Sequence, residues 1–247
     1  MTKSMAKSSS RTATRSSSRS LPFKKTRLSI LTKGLFDLSA SWDGFLQSIS
    51  IIFIIWIVYR TFFSFPVWFD EVVAKAVVFG LPTIIYARRC TGNSCVRIGL
   101  ENERFWPGMF LGMFVGAIYG FVAVLRSMLR ADQIQSVLLF ASPIFWWTFF
   151  LAAMTAWWES VFFFGYVMNY LKDKLRTELS VVVITTAVFV LFHLPLRLLI
   201  GDPGMMNAIL LLTVFAIGQG ILYLRTKSLY AVALSHTLWG MVLLLYG

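Results

Sequence analysis

The sequence predicts an all-α fold: a polytopic transmembrane helical bundle of about seven spans, with its N-terminus inside. Three observations predict it. Of 247 residues, 57% are hydrophobic and only 14% are charged, and the mean hydropathy is +0.73. A soluble domain of this size cannot hide that much apolar surface in one core. The apolar residues are gathered into runs long enough to cross a hydrocarbon layer of ~30 Å. The Lys and Arg residues, finally, fall mainly on alternate loops.

The chain opens with residues 1–36, which hold nine Lys/Arg and no acid among many Ser and Thr (KSSSRTATRSSSRS). With few apolar residues and no periodicity, this stretch is expected to be a disordered cytoplasmic tail. It has no apolar run directly behind the basic part and so does not read as a secretory signal. Its chemistry suits anionic lipid headgroups. An organellar transit peptide is the alternative, and nothing beyond charge points to nucleic acid. Residues 37–247 form the expected multi-span domain.

The first span is expected at about Leu46–Phe63 and the second at about Val72–Tyr86. The second contains Lys75, which suits a tilted helix or one lining a polar interior. A third, about Pro107–Leu125, carries Gly108, Gly112, Gly116 and Gly120. Glycines four apart make a smooth stripe against which a second helix can pack closely. The run from Val137 to Leu171 is too long for one straight crossing and is expected to bend or break near Pro143. Three more spans follow at about Leu179–Ile200, Met206–Leu224 and Leu229–Tyr246. With the N-terminus inside, the inner segments collect 18 Lys/Arg and the outer ones Arg60, Arg126, Arg130 and Arg197. Cys90 and Cys95, five apart on an inner loop, match neither a CxxC pair nor a metal-ligand set, and reduced thiols are expected there.

An ionisable group at mid-bilayer is costly and marks a functional site by default. Glu159 lies 13 residues before Lys172, roughly 20 Å along a helix. His193 lies 15 residues past Glu178, and His236 nine past Lys227, roughly 22 and 14 Å in. Three groups from three spans thus sit at comparable depth, and the chain has no other histidine. A packed core, a proton relay and a catalytic site all remain open on this ground alone. Chemically, a glutamate beside an imidazole can act as a general base on water, and a second imidazole can donate to an oxyanion. The same Glu159, His193 and His236 are also a sufficient ligand set for a catalytic zinc ion with one open position.

Three segments carry a resemblance: ESVFFFG at 159–165, FVLFH at 189–193 and FAIGQGILYLRTKSLYAVALSHTLWG at 215–240. They resemble the EExxxRG, FxxxH and HxxxN/D motifs of the CAAX-protease and bacteriocin-processing family of intramembrane peptidases, which includes the type II CAAX prenyl endopeptidases. The similarity spans about Ile98 to the C-terminus, including IGLENERFWPGMFLG, so the peptidase-like core is expected over about 98–247. It implies that Glu159 is the general base, His193 its partner, and His236 the oxyanion or ligand residue. Three positions depart from the pattern: Ser160 stands for the second acid, Phe164 for the arginine and Gly240 for the Asn/Asp.

The resemblance implies an intramembrane endopeptidase acting on a membrane-associated peptide or protein, lipidated substrates included. Its cofactor is either none or zinc. The alternative is an inactive relative serving as a membrane scaffold or regulator. A multi-pass protein of a prokaryotic plasma membrane is the expected setting, with an organellar membrane as the alternative.

Overall fold

The computed structural model describes residues 41–89, 98–130, 143–199, 201 and 203–246. The basic tail expected over 1–36 and the two cysteines lie outside the described residues. Among those described, every regular element is helical, and the helices form seven rods.

Helix α1 is Trp42–Phe62. Ser41 caps it by accepting a hydrogen bond from the Gly44 amide (3.2 Å), and Asp43 adds negative charge at the positive end of the helix dipole. The next rod, α2, has two π-helical stretches, Phe69–Ala74 and Ala76–Gly80, followed by α-helix over Leu81–Arg89. Its wide turns are visible in the amides of Lys75 and Leu81, which bond back five residues to Asp70 and Ala76. A 3₁₀ turn at Asn102–Arg104 leads into α3, Phe105–Arg130.

Helix α4 is the 32-residue rod Pro143–Lys174. The bend expected near Pro143 falls at the first described residue of this rod. Its interior irregularity lies elsewhere: the rod is α-helical over Pro143–Ser160, π-helical over Val161–Met168 and α-helical again over Asn169–Lys174. A π stretch displaces backbone hydrogen bonds, and polar side chains serve the carbonyls here. Asn169 Nδ2 donates to Gly165 O (2.9 Å), while Thr83 Oγ1 of α2 lies 3.5 Å from Val161 O. The remaining rods are α5 (Glu178–Leu199), α6 (Met205–Thr226) and α7 (Leu229–Tyr246). Lys227, in the left-handed region at φ 50°, ends α6 so abruptly that α7 begins two residues later.

Among the described residues, five helices are long and apolar enough to cross a membrane: α1, Asn102–Val122 within α3, α4, α5 and α6; α7 contains a shorter apolar helix. The chain is a multi-pass helical membrane protein. Its outer faces bear it out, since Phe62, Phe110, Phe114, Phe121, Ile144 and Met206 are all largely exposed and suit lipid rather than water.

The glycine stripe of α3 meets α7. A Cβ at Gly108, Gly112, Gly116 or Gly120 would run into Ser228, Ala231, Leu238 or Val242 respectively. Both sets of numbers rise together, so α3 and α7 run parallel with their backbones almost touching. At the start of this pair, the Leu229 amide donates to Gly99 O (2.9 Å). α7 is thereby held by two neighbours, and α7 carries His236.

Candidate functional site

Glu159 is the penultimate residue of the α-helical part of α4, one residue before the π stretch begins. Its two carboxylate oxygens have different partners. Oε1 accepts a hydrogen bond from Lys75 Nζ of α2 at 2.7 Å. Oε2 faces both imidazoles: His193 Nε2 of α5 at 3.5 Å and His236 Nε2 of α7 at 3.6 Å. The structure thus brings together the three residues that depth alone had placed at one level. The face of each helix, which spacing could not give, is what converges here.

The histidines are oriented differently. His193 Nδ1 lies 2.7 Å from Phe189 O. A carbonyl can only accept, so Nδ1 carries a proton, and in the neutral ring the Nε2 lone pair points at Glu159. Pro195, two residues on, lacks the amide that would bond to Leu191 O and so loosens this end of α5. The ring of Phe189 packs against His193 (centroids 4.3 Å apart), and that of Phe215 packs against His236 (4.8 Å). His236 Nδ1 is buried with no hydrogen-bond partner, as is Gln219 Nε2 one helix away.

A cavity of about 150 Å³ opens beside Glu159 and His193, well above the volume one water needs. Its polar wall is Arg60, Glu71, Lys75, Glu159 and His193; Trp56, Phe79, Phe163 and Phe192 form the aromatic wall. Arg60 and Glu71 place it toward the end of the bundle where α1 finishes and α2 begins, away from Ser41.

Three polar residues of this wall are not marked as site residues by the sequence. Arg60 reads there only as an outer charge and Lys75 only as a charge within a span, and Glu71 carries no mark of its own. Glu71 Oε2 is 2.5 Å from Lys75 Nζ and also accepts from Thr155 Oγ1. The available signal was an acid and a base four apart inside an apolar run, a spacing that puts both on one helix face.

The positions departing from the motif pattern are also accounted for. Ser160 is fully buried, and its Oγ has no partner. Phe164 is packed among aromatic rings, 6.5 Å from Phe189 and 6.3 Å from Tyr223 between centroids. A Cβ at Gly240 would meet nothing within 4 Å. The metal alternative needs a cage of donors. Among the described residues, no group of three or more His, Cys, Asp or Glu side chains is arranged to hold an ion, and an ammonium already holds one oxygen of Glu159.

Residues 141–242 match the family model for type II CAAX prenyl endopeptidases, described as Rce1-like. Over that stretch, 102 of the 247 residues, the chain is similar to that family. The match is consistent with the CAAX-protease family and contains Glu159, His193 and His236, whereas Glu71 and Lys75 lie upstream of it. No curated protein and no solved structure gave a match.

Proposed function

We propose that the protein is an intramembrane endopeptidase of the CAAX-protease type, in which Glu159 and His193 activate water and His236 assists. One observation carries the reading: a single carboxylate oxygen lies within 3.6 Å of two imidazole nitrogens beside a cavity large enough for water. With the His193 ring in its neutral form, its Nε2 and Glu159 Oε2 are both acceptors. A water between them satisfies both with its two O–H groups and is aimed by them.

In the reaction, Glu159 Oε2 takes a proton from this water as the water oxygen bonds to the carbonyl carbon of the substrate. The carbonyl π electrons move onto its oxygen, which His236 Nε2–H stabilises by donation. Collapse of the adduct breaks the C–N bond, and Glu159 returns the proton to the departing nitrogen. One water is added across one peptide bond. The apolar shell of Phe163, Phe189 and Phe215 excludes bulk water and strengthens each of these interactions. The substrate class proposed is a membrane-associated peptide, with a prenylated C-terminal peptide as the first choice from the Rce1-like match.

The test uses purified full-length protein in lipid vesicles and a quenched peptide whose cysteine is farnesylated three residues from its C-terminus. Glu159→Gln is expected to lower kcat by about 10³-fold and His193→Ala by about 10²-fold, within the usual range for general-base catalysis. In cells, comparison of membrane-protein C-termini between wild type and Glu159→Gln reads the same activity without choosing a substrate. Wild-type protein that cleaves the peptide no faster than Glu159→Gln, with no C-terminus differing in cells, overturns the reading. The inactive scaffold then stands.

A further inference from the structure

The catalytic glutamate is held by a dyad that the family match does not include. Lys75 is 6% exposed and offers its ammonium to two carboxylates, Glu71 at 2.5 Å and Glu159 at 2.7 Å. Glu71 is fixed in turn by the Thr155 hydroxyl of α4, one helical turn before Glu159. The chain Thr155–Glu71–Lys75–Glu159 leaves α4, crosses to α2 and returns, clamping the two rods at the level of the histidines. Both rods carry π-helical geometry at this point, Phe69–Ala74 around Glu71 and Val161–Met168 just after Glu159. Such insertions gather at functional sites because they re-aim side chains without breaking the helix.

The division of labour at Glu159 follows from Lys75. A carboxylate free to turn about its last torsion can present either oxygen to the histidines. With Oε1 fixed by the ammonium, Oε2 alone faces His193 and His236, so the base is oriented before substrate arrives. Glu71 has a separate role. A lysine bonded to Glu159 alone can swing into the cavity, and the second carboxylate fixes it from the other side. Position 160, where the motif has its second acid, holds a partnerless serine, and position 164, where it has arginine, holds a buried phenylalanine. The acid and the cation missing from α4 have counterparts on α2.

We propose that Glu71 and Lys75 form a positioning dyad for Glu159, supplying from α2 the second carboxylate and the cation that α4 lacks. This rests on the peptidase reading of the same site.

The experiment measures kinetics on the farnesylated peptide in vesicles, together with thermal unfolding of each variant. Lys75→Met is expected to lower kcat about 100-fold with KM within twofold of wild type, and Lys75→Arg to recover most of that loss. Glu71→Gln keeps an acceptor for Lys75 and is expected to fold normally and lose about tenfold in kcat. The Glu71→Gln, Lys75→Met double variant should lose no more than Lys75→Met alone, because Glu71 acts through Lys75. Lys75→Met within threefold of wild type, or Lys75→Arg no better than Lys75→Met, overturns the dyad. If Lys75→Met does not fold, Glu71→Gln decides, and wild-type kcat in that variant overturns the proposal.

Wild-type protein that does not cleave the peptide speaks against the function, and the dyad is then read from stability alone. Lys75→Met leaves the buried Glu159 carboxylate and the half-buried Glu71 without their shared cation, so adding Glu159→Gln to it should raise the melting temperature. A double variant that melts no higher than Lys75→Met overturns the pairing.

Discussion

Substitutions along the α3 glycine stripe separate helix packing from helix propensity. At Gly112, an added Cβ would sit 2.9 Å from Ala231 Cα and 3.0 Å from its carbonyl carbon, with the carbonyl oxygen closer still. Carbon atoms rest at about 3.5–4.0 Å, and all three obstructing atoms are backbone, so α3 and α7 must part by about 1 Å. Overpacking of this kind costs about 1–3 kcal/mol, partly offset by up to ~1 kcal/mol gained when alanine replaces glycine in a helix. Gly112→Ala should therefore lose about 1–2 kcal/mol, a fall in melting temperature on the order of 5 °C for a chain this long. At Gly120 the nearest obstruction is a side-chain methyl of Val242 at 3.2 Å, and at Gly240 nothing lies within 4 Å. Gly120→Ala should be near neutral and Gly240→Ala neutral to stabilising. Ala231 is five residues before His236 on α7, so the same displacement reaches the candidate site. Under the proposed peptidase reading, a shift of about 1 Å there should lower kcat by about 10²-fold. Melting curves in detergent, with cleavage rates on the same preparations, check both parts. The reasoning is refuted if Gly112→Ala melts as high as Gly240→Ala.

Three further outcomes are expected. Gly240→Asn fits the open space at that position and should raise kcat by up to about 10²-fold if the new amide reaches the oxyanion; an unchanged kcat in a folded variant would show that it does not. Chelation with EDTA or phenanthroline should leave cleavage unchanged, because Lys75 already supplies positive charge at Glu159; loss restored by added zinc would establish the metal-dependent route instead. In cells with Cys90 and Cys95 replaced by serine, a membrane-impermeant thiol reagent should label Ser64→Cys from outside and not Lys227→Cys, as the Lys/Arg distribution requires; the reverse pattern would invert the orientation.

Composition and charge pattern were enough to determine the class of this protein. Apolar runs of bilayer length require helices, since a lipid-exposed backbone must bond within itself. The glycines at spacing four also declared a close helix contact, and α7 is the partner they meet. Glu159, His193 and His236 were legible one by one because a titratable group inside an apolar run is conspicuous. Their convergence was not legible. Which face each helix turns inward depends on packing, and here π-helical turns in α2 and α4 shift that face away from a regular 3.6-residue count. Lys75 and Glu71 show the limit most plainly. In the sequence they read as a charged interruption near the start of a span, 84 residues from Glu159 on the lysine side. Only tertiary structure could put an ammonium on Glu159 Oε1, because a buried ion pair forms where two helices meet and leaves no periodicity in either one.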